Sequence, residues 1–360
     1  MEGSLGVPKD RISYPKADAQ YQVCRKLFHL AENLATMNVM RCATVLSFLF
    51  VTSSLAQASF EMLLMGDNTG NNFKVTRYDP VTRMSLGSFG LGIINHAVRD
   101  VAVDQSTNRA FVLSAGGRIN AFNYNTGEWL GAGTTANYTA IAYNSGSNTL
   151  TFGDGNGSGV SGGSQVLNAN SLTPTGVGFP STFISTAALQ RPGTTNYFMH
   201  TLASFGGFNP STRVWDANGN LLDSQFGPNA WDGANGVRDS VFNGNFMFGL
   251  IADASGTNNT LVSSSVTNTT MSLPSVVAGF TSSPSGSATR SIVVGHNGLM
   301  WVKVGNELRS YHPVNGFGAA NILPVSISDS TGMAIVVAPE PASMFALGLG
   351  ALTLLRRRRR

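Results

Sequence analysis

Six short stretches recurring every 44 to 49 residues set the tightest limit on how this 360-residue chain folds. Their anchor residues are Tyr78, Phe122, Leu167, Trp215, Val262 and Tyr311. Four of the stretches, at 75–82, 119–127, 212–219 and 308–316, share one form: a brief strand with an aromatic residue, then a polar turn, in most cases rich in Asp or Asn. Those at 165–170 and 260–262 are weaker copies. Two further sets of short apolar segments keep the same beat. One lies at 100–103, 139–142, 185–188, 238–241, 290–293 and 325–328, and the other at 111–113, 150–152, 197–199, 246–248 and 300–302. Turn residues separate the two sets, most clearly at 104–108, 144–148 and 191–195. A fixed period of this length marks a repeat architecture, in which each unit buries its faces only against its neighbours.

Residues 59–338 are poor in charge and rich in Gly, Asn, Ser and Thr, and no helical period appears in them. Short β-branched or aromatic runs between turns read as strands. Three strands per period plus an outer edge make a four-stranded unit of about 40–50 residues. Five units are complete between 100 and 317. The sixth has its inner part at 325–328 and 333–337 and its outer strands at 60–65 and 73–78, so the two ends of the domain close one ring. Closure removes the open edges that a linear array leaves exposed. The pattern resembles β-propeller folds of the WD40-like, YVTN or quinoprotein type, and implies an all-β propeller, most simply of six blades. Seven blades, a β-sandwich and a β-solenoid are the alternatives.

The C-terminal 22 residues have a different character. Pro339, Glu340 and Pro341 precede an uncharged run at 342–355, and Arg356, Arg357, Arg358, Arg359 and Arg360 end the chain. As a helix the run is about 21 Å long, short against a bilayer core of about 30 Å. The arginines favour the cytoplasmic side, with stems long enough to reach the interface. Proline has no place inside a regular helix, so the helix is expected to begin after Pro341. The three parts in this order resemble the PEP-CTERM sorting signal of Gram-negative bacteria. That resemblance implies recognition at the membrane by an exosortase, cleavage near the Pro-Glu-Pro motif, and transfer to the cell surface or an extracellular, often biofilm-associated, matrix. It marks cargo and leaves the activity of the cargo open. A plain membrane anchor is the alternative.

Near the other end, Arg41 precedes an apolar run at 42–55, followed by Ala56, Gln57 and Ala58. Basic, apolar and small-residue regions in that order form a secretory signal peptide. Cleavage at the Ala56/Ala58 site leaves Ser59 first. The polar stretch 1–36 fits no signal peptide, and Met37 or Met40 is the expected start. The organisation expected is therefore 1–36 as an upstream extension, 37–58 signal peptide, 59–338 propeller and 339–360 sorting signal. Both cysteines, Cys24 and Cys42, fall before 59. Between 59 and 338 the net charge is −2, so the basic balance of the whole chain, +4, belongs to its ends and does not indicate nucleic-acid binding.

Few residues offer chemistry. His96, His200, His296 and His312 are not in a metal-ligand spacing, and no Gly-x-Ser-x-Gly elbow occurs. Asp216, Asn218 and Asn220 are spaced like the first ligands of a calcium loop, but the Gly falls early and position 227 is Gly rather than a carboxylate. A turn closed by Asp216 explains them equally. The glycine-rich run at 154–163 reads as a loop. Trp215 and Tyr311 are expected between blades, and a solvent-facing Trp129, Trp231 or Trp301 would suit stacking on sugar rings. Asp100 and Asp239 occupy equivalent places, each after an arginine, and are the candidates for a polar binding ring at the channel. The alternative for both is a structural role, accepting backbone amides. No catalytic residue, metal or cofactor is expected. The expected role is structural or adhesive at the cell surface or matrix, through a face that binds polysaccharide or a surface protein. The rival is an extracellular polysaccharide hydrolase or lyase, which clustered acids in the channel would favour.

Overall fold

In the computed structural model the described residues are 59–153, 164–179, 186–202, 210–226, 234–253, 258–281, 290–295, 298–304, 307–312, 321–324 and 330–339. They form 24 strands in six four-stranded sheets, arranged as the blades of a propeller. Blade 1 contains β1 (Ser59–Asp67), β2 (Lys74–Asp79) and β3 (Met84–Phe89). Blade 2 contains β4 (Val98–Asp104), β5 (Arg109–Ser114), β6 (Arg118–Asn123) and β7 (Trp129–Thr134). Blade 3 is β8 (Ala140–Asn144), β9 (Thr149–Gly153), β10 (Ser164–Asn168) and β11 (Pro174–Phe179). Blade 4 is β12 (Leu189–Gln190), β13 (Tyr197–Leu202), β14 (Pro210–Trp215) and β15 (Leu221–Phe226). Blade 5 is β16 (Ala234–Asn243), β17 (Phe246–Asp253), β18 (Asn258–Ser265) and β19 (Ser275–Thr281). Blade 6 is β20 (Arg290–Val294), β21 (Met300–Val304), β22 (Glu307–Tyr311) and β23 (Asn321–Pro324).

The last strand, β24 (Ser330–Pro339), completes blade 1 from the inside, in the order β24-β1-β2-β3. This is the ring closure expected from the repeat, with two differences: the outermost strand is β3 (Met84–Phe89), unmarked by the repeat, so that the strand at 74–79 stands third and not last, and the inner strand also differs. The inner strand contributed by the C-terminal end is 330–339, whereas the expected segment 325–328 lies outside the described residues.

Packing explains why the period exists. Among the described residues, apolar clusters lie between every two successive blades. Met62 and Leu64 face the core shared by blades 1 and 2, while Leu63 and Met65 face the core shared by blades 6 and 1. Alternate residues of a strand point to opposite faces, so a strand buried on both sides reads as one continuous apolar run. β24 repeats the pattern, with Ala334 and Val336 on one side and Met333 and Ile335 on the other. The recurring anchors sit on third strands. Tyr78, Phe122, Leu167, Trp215 and Tyr311 each pack toward the preceding blade. Trp215 is fully buried against Phe179 and Tyr197, with ring centroids 5.3 Å apart for the Phe179 pair.

The turn after each of four anchors is closed by one side chain. Asp79 accepts from the amides of Val81 and Thr82, Asn123 from Asn125 and Thr126, Asn168 from Asn170 and Ser171, and Asp216 from Asn218 and Asn220. Asn and Asp close such turns because their short side chains reach amides two residues on. Gly127 and Gly219 adopt φ of 82° and 84° in two of them, a region where a Cβ is strained.

Candidate functional site: the central channel

The innermost strands β4, β8, β12, β16, β20 and β24, one from each blade, all contribute to the walls of one cavity of about 240 Å³. Asp100 on β4 and Asp239 on β16 both line it. With six blades, blades 2 and 5 are three apart around the ring, so the two carboxylates come from opposite sides.

Each carboxylate ties its own blade to the next. Asp100 accepts the Val101 amide at 2.8 Å through Oδ1 and the Ile141 amide of β8 at 2.9 Å through Oδ2. Asp239 accepts the Ser240 amide at 2.8 Å through Oδ1, and through Oδ2 the Ile292 amide of β20 at 2.9 Å and the Ser291 hydroxyl at 2.8 Å. The Met333 amide of β24 donates to Ser291 Oγ at 3.0 Å, which carries the network one blade further. Gly332 lies against Asp100, where an added Cβ would sit 2.7 Å from the Asp100 Cγ. A side chain there would collide with the carboxylate, so the channel holds its acid only because β24 has none at that point.

Burial pushes the Asp100 carboxyl well above the ordinary carboxylate range, and the charge of Asp239 adds to the rise; the Ile141 and Val101 amides oppose it. Burial also raises Asp239, to about 6, against the opposing pull of Ile292, Ser291 and Ser240. A buried negative charge with no cation beside it is costly, and two lining one cavity cost more.

The sequence therefore singled out two residues that the fold does bring to one cavity, and the structure gives both a structural occupation. It did not single out Ser291 and Gly332. Ser291 follows Arg290 as Asp100 follows Arg99 and Asp239 follows Arg238, which was the available signal. Nothing local marks Gly332, whose role depends on ring closure.

Other candidates are placed as follows. The Asp216 carboxylate is engaged by its own turn, with Asn220 Nδ2 at 2.8 Å as well as the two amides, and these bonds hold its pKa down, the Asn220 side chain first. Among the described residues no group of three or more His, Cys, Asp or Glu gathers in metal-binding range. His200 is fully buried between two hydroxyls, with Nδ1 2.9 Å from Ser240 Oγ and Nε2 3.2 Å from Ser264 Oγ, and burial lowers its pKa to about 3. It is a neutral core histidine. His96 Nδ1 lies 2.7 Å from the Asn95 side chain. Tyr311 and Trp301 are buried, and Trp129 is 49 % exposed on the outer edge of blade 2. His296, Trp231, the 154–163 loop, Ala56, Ala58, Glu340, Pro341 and Arg356 to Arg360 lie outside the described residues, and Pro339 is the last residue of β24.

Comparison with known proteins gives one sequence match. Residues 337–360 match the PEP-CTERM protein-sorting motif. The motif implies processing by an exosortase and export to the cell surface. No curated protein matches the chain. Among solved structures, the crystal structure of the computationally designed Ika8 protein is similar at 15 % identity and a TM-score of 0.42, over 75 % of this chain and 74 % of that one.

Proposed function

We propose that this exported propeller is a structural or adhesive component of the cell surface or extracellular matrix, binding polysaccharide or another surface protein through its loops. The observation that carries the reading is the state of the channel acids beside a sorting motif. Asp100 and Asp239 spend their lone pairs on the backbone of adjacent blades, and the cavity between them, about 240 Å³, falls below the roughly 300–1,000 Å³ of typical ligand sites. The channel works as a brace, which leaves recognition to the outside of the ring.

The second reading is an extracellular polysaccharide hydrolase or lyase. What favours it is that two carboxylates with raised pKa line one cavity, as a general acid requires. One experiment separates the two. The purified protein is incubated with exopolysaccharide from a producing strain, and both co-sedimentation and release of reducing or unsaturated ends are followed. Co-sedimentation without new ends supports the adhesive role. New ends that disappear in Asp100→Asn or Asp239→Asn overturn it in favour of the enzyme.

The processing scheme belongs to the same proposal. Translation starts at Met37 or Met40, a signal peptidase cuts at the Ala56/Ala58 site, and an exosortase removes the region from about Pro339 onward, including the 342–355 membrane helix and the arginines. The partners are thus the secretion machinery and exosortase in transit, and a matrix polymer or surface protein at the destination. No cofactor and no nucleic acid enter this reading.

A further inference from the structure

A second, larger cleft lies away from the channel, between blades 4 and 5. It measures about 630 Å³ and is lined by Arg191, Asn245, Phe246, Ser265, Val266, Thr267, Asn268 and Thr269. We propose that it is a binding subsite for an acidic saccharide, one bearing a uronate-type carboxylate. This rests on the polysaccharide-binding reading above and names both the place and the chemistry.

Three turns build the cleft, and they are fastened to one another. The turn between β12 and β13 supplies Arg191. Its guanidinium donates through one terminal nitrogen to Asn245 Oδ1 at 2.7 Å, in the β16–β17 turn, and through the other to Asn268 Oδ1 at 3.3 Å, in the hairpin after β18. Asn196 Nδ2 donates to the Asn268 carbonyl at 2.7 Å, and the Val266 amide to the Asn245 carbonyl at 2.8 Å. Thr267 closes the hairpin with the Thr270 hydroxyl at 2.7 Å and amide at 3.0 Å. The walls are therefore set before a ligand arrives, which lowers the ordering cost of binding.

Charge selects the ligand. Both partners of Arg191 are neutral amides, and among the described residues no carboxylate lines the cleft or pairs with this guanidinium. A positive charge stands there uncompensated, in a domain whose overall charge is negative. Two of the five N–H groups of an arginine fork are used, and the rest remain for a planar anion such as a carboxylate. Because the arginine takes the Oδ1 atoms, the Nδ2 groups of Asn245 and Asn268 are left as donors toward bound oxygen. Phe246 adds an apolar ring that is 47 % exposed, a surface on which the C–H face of a sugar packs. A cation, neutral amide donors, hydroxyls and a bare aromatic face together match an acidic sugar better than an apolar peptide or a nucleic acid, which would ask for several cations.

The test is calorimetric titration of the purified protein with polygalacturonate oligomers and with neutral glucan oligomers, in low and high salt. Expected are binding of the acidic oligomers only, weakening with salt, and a loss of about tenfold or more in both Arg191→Gln and Phe246→Ser. Phe246→Ser leaves the arginine contacts in place, so it serves as the control should Arg191→Gln loosen the turns, and equal melting temperatures verify both. If a matrix polysaccharide binds but both variants keep full affinity, the cleft is not the site while the adhesive reading stands. Equal binding of neutral glucans overturns the charge argument. If no polysaccharide binds at all, the cleft proposal falls together with the polysaccharide half of the adhesive reading, and only binding of a surface protein is left.

Discussion

At the scale of single residues, the channel acids and the buried histidine make opposite demands on pH. The folded state raises Asp239 from 3.8 to about 6, so it holds a proton that the unfolded chain has released across that window. Stability from this group is complete below about pH 4 and is lost as pH rises through 6; Asp100 acts in the same direction. His200, kept neutral down to about 3 instead of 6.5, contributes stability above 6.5 that is lost as pH falls. Asp239→Asn should therefore steepen the rise of melting temperature between about pH 4 and 6, because the opposing slope is removed. Thermal melts across that range check it, and parallel curves for the two proteins would sink the assignment. Gly332→Ala places a methyl on the Asp100 carboxylate and is expected to destabilise by about 1–3 kcal/mol or more, measured by denaturant unfolding. Trp215→Ala, in the core between blades 3 and 4, should cost about 3–5 kcal/mol by the same measurement.

At the scale of elements, the anchors were legible in the sequence because each does two local jobs at once. The anchor side chain packs on the previous blade, and the next residue, in four blades an Asp or Asn, closes the turn. Leu167–Asn168 keeps both jobs without an aromatic, which is why it read as a weaker copy. Replacing Asn168 by Ala should cost about 1 kcal/mol and leave the rest of the ring unchanged, as seen in the denaturation midpoint. Less could be read where partners come from different repeats. Asp100 meets an amide 41 residues away and Asp239 one 53 residues away, each a full blade onward. Equivalent positions were visible in the sequence, but that the two acids share a cavity depends on the number of blades. The Arg191 cleft was invisible for the same reason, since its three turns come from two blades and carry no motif. In the sequence only the 191–195 turn stands out, as a hairpin connection.

At the scale of the whole molecule, a ring of six sheets depends on its last strand. Without β24, blade 1 loses its inner strand, Leu63, Met65 and Tyr78 lose Met333 and Ile335, and an edge of β1 is opened to other chains. A chain truncated before Ser330 is expected to aggregate or elute as mixed oligomers in size-exclusion chromatography, whereas one truncated after Pro339 should remain compact. The sorting-motif match begins at 337, so its first three residues are also the last three of β24. Intact-mass measurement of the surface-localised form should therefore show an end close to Pro339, with nearly all of β24 retained. Mechanically, the same overlap means that, in the proposed attachment to a surface polymer, tension on the new C-terminus pulls along the axis of the innermost strand. Such a load shears the β24–β1 pairing as a whole instead of peeling it bond by bond, so the link that closes the circle is also the one that takes the tension in the proposed attachment.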